Sequence, residues 1–363
     1  MGRRRSKSSS KRKKKKEKTF PLDKISNLPS DVIQHILSYL HFKEAVKTSV
    51  LSKAWRHKWA MLPSLAFDDT VGSSIERIVN HVLFSHTGPV DAFKLSTAKG
   101  LSLDTRDIDL WISHLSSYSI KEFILKLWNR SFKYDVFSRL FSFQDLTHLE
   151  LCNCSLKPPS TFKGFRVLKG LHIRRVTVAQ DALEKLIESG PLLERMTLCD
   201  ITRLTQLNIY AQNLQFLKVG GVFQDFRLKN TTKLVDVSID GKWDSSEFFK
   251  FFLQLPIIER LTIKFKGSNR MRLNQPYWNC RFTQLQVLKV TGYFGLHTEE
   301  VEFIRSVLSS SPVLKRIALQ PVSGTNVCWE LPIMLNDFGN VEKNFLAPLT
   351  DYYMQSNEYY DED

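Results

Sequence analysis

Near the start of the chain the apolar positions follow a helical period. Val32, Ile33, Ile36, Leu37 and Leu40 lie at i, i+1, i+4, i+5 and i+8, a wide stripe along one side of a helix opened by Leu28-Pro29. A break near His41-Phe42 leads to a second predicted helix carrying Ala45, Val46, Ser49 and Val50. Ser52 is placed to cap a third, with Trp55 and Trp59 one turn apart. Three short helices within residues 25–60 cannot bury all their apolar faces alone, so part of that surface is expected to meet a partner. The other reading is an internal helical subdomain whose stripe is all core.

From about residue 90 the period changes to that of strands. The spacing L-x-x-L-x-L recurs, most clearly at Leu146, Leu149 and Leu151, followed by Asn153-Cys154 and Leu156. Further copies are Leu168-Leu171-Ile173, Leu193-Met196-Leu198, Leu204-Leu207-Ile209, Leu214-Leu217-Val219 and Leu234-Val237-Ile239. The series continues at Ile258-Leu261-Ile263, Leu285-Leu288-Val290 and Leu314-Ile317-Leu319, with weaker copies at Val90-Phe93-Leu95 and Ile120-Phe123-Leu125. Most intervals fall in the roughly 20–29 residues of leucine-rich repeats. The step from Leu204 to Leu214 is too short for a return helix and predicts a tight loop. AQDALEKLIESGPLLERMTL, SSEFFKFFLQLPIIERLTI and TEEVEFIRSVLSSSPVLKRIAL each read as helix, proline, strand. One such repeat cannot bury its own leucines, but stacked neighbours can. The pattern therefore predicts an α/β protein with a curved solenoid and parallel strands on its concave face.

The string LPSDVIQHILSYLHFKEAVKTSVLSKAWRHKW, residues 28–59, resembles the F-box family in its Leu-Pro entry, IL-S-Y-L block, VLS turn and W-R step. The resemblance implies a three-helix unit that binds a Skp-type adaptor and, through it, a cullin. It offers Leu28, Pro29, Ile33, Ile36, Leu37, Leu40, Val50, Leu51 and Trp55 as docking residues. His41 stands where the family usually has proline, which is expected to loosen the exit of the first helix. With the repeats behind it, the chain is similar to the plant F-box/leucine-rich-repeat proteins, many of which carry an FBD region. Residues 280–322 resemble the first part of that region. The implied layout is a disordered basic tail at 1–20, an F-box at 21–66 and repeats at 67–335. Within the repeats a partial FBD-like region covers 280–335, and a divergent segment follows at 336–363. The implied role is the substrate-recognition subunit of an SCF-type (Skp–cullin–F-box) ubiquitin ligase, itself without catalysis. A non-degradative scaffold and a nucleic-acid-associated protein are the alternatives.

Charge refines this picture. The formal net charge is +15. Residues 1–18 hold eleven Lys or Arg against Glu17 alone, while residues 351–363 hold five acids and no base. The basic run, with Arg3, Arg4, Arg5, Lys11, Arg12, Lys13, Lys14, Lys15 and Lys16, suits a nuclear import signal. Residence in nucleus, cytoplasm or both is expected. The most apolar stretch, residues 248–258, is broken by Lys250 and Pro256, so no membrane span is expected. The basic start offers no apolar run for a signal peptide, and the five cysteines lack paired spacing, so they are expected to be reduced. No metal or nucleotide motif and no nucleophile elbow occurs, and no cofactor is expected.

In an L-x-x-L-x-L strand the leucines turn inward and the residues between them face solvent. Those positions hold Lys94, Lys126, Arg174, Arg195, Lys218, Arg260, Lys264, Lys289 and Arg316 against Glu122, Glu150, Asp236 and Asp240. From Arg174 onward these bases are candidates to bind an acidic segment, a phosphorylated degron or a polyanionic small molecule. The plainer reading is a sheet face kept soluble by its charge.

Overall fold

The computed structural model describes residues 25, 28–68, 75–97, 103–128, 133–202, 204, 206–221, 225–240, 250–255, 257–265, 281–293, 298–321 and 341–347. The chain divides into two compact units, residues 1–59 and 60–363.

In the first unit, α1 (Ser30–Ser38) and α2 (Phe42–Lys47) run into a 3₁₀ turn at Thr48–Val50. Ile33 and Leu37 of α1 and Ala45 of α2 are buried at 1% exposure or less. His41 adopts φ −55°, the value a proline would fix, and its carbonyl accepts from Glu44 and Ala45 N–H at 2.8 and 2.9 Å. The first helix therefore exits without the expected loosening. The third segment differs from its expectation too. Ser52 starts no α-helix; turns lead into a 3₁₀ helix at Lys58–Met61. Tertiary packing sets this path, with Trp55 and Trp59 buried at 3% and 8% exposure. Trp59 meets the Phe42 ring edge-on at 6.1 Å, and Lys58 Nζ donates to Ser30 Oγ at 2.9 Å.

The second unit is built on one long sheet. Its twelve strands are β1 (Ser64–Phe67), β2 (Ala92–Ser96), β3 (Glu122–Lys126), β5 (His148–Cys152), β7 (Gly170–Arg174), β9 (Arg195–Cys199), β11 (Phe216–Gly220), β13 (Asp236–Asp240), β14 (Arg260–Lys264), β15 (Val287–Tyr293), β16 (Arg316–Pro321) and β17 (Glu342–Phe345), in that order. Every adjacent pair is parallel. The register stacks equivalent positions into rows. One buried row runs Leu65, Phe93, Phe123, Leu149, Leu171, Met196, Leu217, Val237, Leu261, Leu288, Ile317. Each of these side chains contributes about 1.5–3 kcal/mol by leaving water. The two weak copies, around Phe93 and Phe123, are full members of the ladder, and their rings continue the row at 5.8 Å.

A parallel strand needs a long return path, and helices supply it where the chain has room. These are α3 (Ile75–Ser85), α4 (Thr105–Leu115), α5 (Gln180–Glu188) and α6 (Thr298–Ser309). Asp104 caps α4 by accepting from Arg106 N–H at 2.9 Å. In the returns after β3, β5 and β7 the chain is partly extended, and β4 (Tyr134–Asp135), β6 (Cys154–Leu156) and β8 (Thr177–Val178) form a small parallel sheet. The turn away from the main sheet is made in the left-handed region. Asn153 (φ 61°), Arg175 (φ 53°) and Asp200 (φ 53°) directly follow β5, β7 and β9, and Gly221 (φ 121°) follows β11.

The copy at Leu204-Leu207-Ile209 is not a rung of the main ladder. It forms β10 (Gln206–Tyr210), which among the described residues pairs with β12 (Asp225–Lys229) in a separate two-stranded sheet. So short an interval cannot carry the chain around a whole coil, and the strand stays on the return side.

Candidate functional site

Two surfaces stand out, one on each unit. On the first, the apolar stripe divides by depth. Ile33, Leu37 and Trp55 are buried at 1%, 0% and 3% exposure. Ile36 and Leu40 are 40% exposed, Leu51 63% and Val50 88%. Pro29 is exposed and Leu28 intermediate. The expected docking set therefore splits into core residues that hold the unit and outer residues that could touch a partner. Val32 at 42% and Tyr39 at 78% join the outer group, though neither is in the expected docking set. Exposed apolar side chains grouped on so small a unit mark an interaction surface. The basic residues 3–5 and 11–16 lie outside the described residues.

On the second unit, the rows between the buried ones form an open sheet face. Parallel sheets ordinarily have both faces covered, so an uncovered parallel face is a feature in its own right. One row runs Glu122, His148, Gly170, Arg195, Phe216, Asp236, Arg260. The next runs Lys94, Ile124, Glu150, His172, Thr197, Lys218 and on to Lys289. A third, more deeply set, runs Ser96, Lys126, Cys152, Arg174, Cys199, Gly220, Asp240, Lys264, with Cys152, Cys199 and Asp240 buried. All seven candidate bases sit on these three rows, as their spacing predicts.

They are not equally available. Arg260 Nε bonds Asp236 at 2.8 Å and Arg316 Nε bonds Glu342 at 2.9 Å, each across adjacent strands. The Asp236 carboxylate holds Arg260 above its ordinary pKa. Lys94 pairs with Glu122 at 2.8 Å and Lys126 with Glu150 at 3.2 Å. Glu342 on β17 is an acid of this face that lay outside the repeat template. Arg195 stacks on the Phe216 ring with its guanidinium carbon 4.4 Å from the centroid.

The same face carries two imidazoles that the repeat template did not single out. His148 and His172 stand side by side, ring centroids 4.8 Å apart and planes 38° apart. Burial lowers both pKa values; for His172 the neighbouring His148, Arg195, Lys126 and Arg174 add to it and bring the value to about 4. The signal was present as H-x-E and H-x-R in adjacent repeats. The three described cysteines, Cys152, Cys154 and Cys199, are unbridged and buried, and burial raises all three thiols, Cys152 and Cys199 to about 11. Thiols so placed stay protonated at neutral pH and pack as small apolar groups. Among the described residues no cluster could hold a metal ion, and no helix is long and apolar enough to cross a membrane.

Comparison with known proteins bears on both surfaces. An F-box domain model matches residues 25–67, and a model described as the At1g61320/AtMIF1 LRR domain matches residues 82–241. The Arabidopsis thaliana F-box/FBD/LRR-repeat protein At1g13570 is 39% identical over 324 residues, covering 83% of this chain and 77% of that protein. The Arabidopsis putative F-box/LRR-repeat protein At3g18150 is 31% identical over 344 residues, covering 82% and 72%. An internalin from Listeria monocytogenes superposes over 90% of this chain and 91% of its own at 12% identity, with a TM-score of only 0.34. F-box helices, a parallel ladder of leucine-rich repeats and this level of identity converge: the chain belongs to the plant F-box/FBD/LRR-repeat family.

Proposed function

We infer that this protein is the substrate-recognition subunit of an SCF-type E3 ubiquitin ligase. The first unit docks on a Skp-type adaptor, which links it to a cullin. The open face of the ladder holds the target. Catalysis then resides in the partner enzyme, and this chain contributes proximity: the target is kept at high effective concentration near the ubiquitin donor.

The observation that carries the reading is the pair Val50 and Leu51. Large apolar side chains at 88% and 63% exposure contribute nothing to the fold they sit on. They gain their apolar transfer energy only when a partner covers them. The family's F-box domains generally bind Skp-type adaptors, which supplies a partner of the right chemistry.

The test is co-purification of the full chain with a Skp-type adaptor. The wild type is expected to bind. Val50→Asp with Leu51→Asp is expected to lose binding at least about tenfold, because each buries an unpaired carboxylate in an apolar contact. Its melting temperature should stay near that of the wild type, since both positions are exposed. Wild-type protein that fails to bind any such adaptor ends the ligase reading.

A further inference from the structure

The two residues that carry the docking reading sit on an irregular stretch of backbone. Val50 ends the 3₁₀ turn Thr48–Val50, and Leu51 follows it. From there to Lys58 the chain runs as single turns. Leu51 N–H donates to the Thr48 carbonyl at 2.9 Å, Trp55 N–H to Ser52 at 3.2 Å and Lys58 N–H to Trp55 at 3.2 Å. In an α-helix such bonds overlap and brace one another. Here the turns meet end to end, each bond fixing its own turn, so the path of the whole stretch is set by what holds its ends.

The first end is tied to α2. Thr48 Oγ1 donates to the Ala45 carbonyl at 2.7 Å and Ser49 Oγ to the Val46 carbonyl at 2.6 Å. In the middle, Trp55 alone of residues 50–57 is buried. It holds by packing, since its buried indole N–H has no hydrogen-bond partner among the described residues. At the far end two contacts return to the start of the unit. Trp59 meets Phe42, and Lys58 Nζ donates to Ser30 Oγ at 2.9 Å across 28 positions of sequence. Ser30 is the first residue of α1, the helix that carries the outer residues Val32 and Ile36. The bond is charge-assisted, directional and partly buried. It joins the two halves of the outer apolar group, one on α1 and one on the irregular stretch.

We propose that Lys58 is a positioning residue for adaptor docking: through Ser30 it holds Val50 and Leu51 in one arrangement with Val32 and Ile36, so that the adaptor meets a preformed surface. The proposal rests on the reading that Val50 and Leu51 touch the adaptor. Lys58 acts through those two residues and needs no contact with the partner. A surface already ordered before binding loses less conformational freedom when it binds. Without the Lys58–Ser30 bond the same apolar contacts form, but the turns from Leu51 to Lys58 must first be brought to order, and binding weakens.

Calorimetric titration of the full chain with a Skp-type adaptor tests this. Lys58→Met keeps the apolar stem and removes the ammonium; Ser30→Ala removes the acceptor. Each should weaken binding about three- to tenfold, and the double variant should be no weaker than the weaker single one by more than about twofold, because both changes remove one bond. Lys58→Arg still donates to Ser30 and should bind within about twofold of the wild type. Melting temperatures should stay near that of the wild type throughout. With Val50→Ala and Leu51→Ala already in place, Lys58→Met should cost less than about twofold, since little is left to position. A melting temperature that falls in step with affinity assigns Lys58 to the fold alone and overturns the proposal. Additive losses from Lys58→Met and Ser30→Ala overturn it too, as does an undiminished loss in the Val50→Ala, Leu51→Ala background, which would mean that Lys58 touches the adaptor itself. Wild-type binding that is indifferent to Lys58→Met refutes the positioning role alone. Absence of wild-type binding refutes the docking reading, and the positioning role falls with it.

Discussion

Val50 and Ile33 are similar side chains in one short unit, yet one is 88% exposed and the other 1%. Helical periodicity places both on apolar stripes and gives no depth. Depth depends on which neighbours arrive from elsewhere, as when Trp59 comes in against Phe42. The stripe was legible in the sequence; its division into core and docking surface was not. The ladder differs, because strand alternation fixes inside and outside at once, and all seven candidate bases fall on the open face. The histidines escaped notice because they hold different places in the repeat, His148 one before its leucine and His172 one after, and only the strand register sets the rings side by side. Their placement predicts a pH response. His172 has a pKa near 4 in the fold, against 6.5 for the free side chain. A lowered histidine disfavours protonation, so its contribution is fully present above 6.5 and is lost as pH falls from there towards 4. With solvent screening at a half-buried ring the loss amounts to about 1–2 kcal/mol. Urea titration at about pH 7 and about pH 5 should show that drop, and His172→Gln should remove part of it. A variant that keeps the full pH dependence would contradict the assignment.

Among the elements, the two-stranded sheet of β10 and β12 shows what a repeat template misses. Leu204-Leu207-Ile209 fits the spacing, yet β10 lies outside the ladder. Its partner β12 has only Phe226 and Leu228 alternating with Arg227 and Lys229, a strand signal without the leading leucine. A ribbon of two strands is marginal by itself and leaves both edges open. Here side chains close each edge. Glu184 of α5 accepts from Asn208 N–H on β10 at 2.9 Å. On β12, Gln254 accepts from Leu228 N–H at 2.8 Å and donates to the Phe226 carbonyl at 3.1 Å. Gln254→Ala leaves that N–H and carbonyl without their protein partner, at a cost of about 1–3 kcal/mol. Hydrogen exchange should then speed at Leu228 while Leu217 and Val237 in the ladder keep their protection. Uniform acceleration through the ladder would mean that the ribbon is no separate element. The third F-box segment carries a related lesson: Ser52 is a good capping residue, but turns and a 3₁₀ helix follow it, with both tryptophans buried.

At the scale of the whole molecule, the division at residue 59 separates the two surfaces along the chain. Val50 and Leu51 belong to the first unit and the open sheet face to the second, with no residue shared. If each surface binds its own partner and the two share no contact, the two binding energies should add. Val50→Asp should weaken adaptor binding and change target affinity by less than about twofold, a coupling below about 0.5 kcal/mol. Arg195→Ala should do the reverse. In cells the two variants then part ways in a manner that neither surface alone would produce. The Val50 variant still holds its target but cannot deliver it, so target and receptor should co-purify in greater amount and the target's half-life should lengthen. The Arg195 variant also lengthens that half-life, but without the accumulated complex, since capture itself is lost. Pulse-chase of the target with quantitative co-purification distinguishes these outcomes. Equal recovery of target by both variants would show that the open face is not where the target is held.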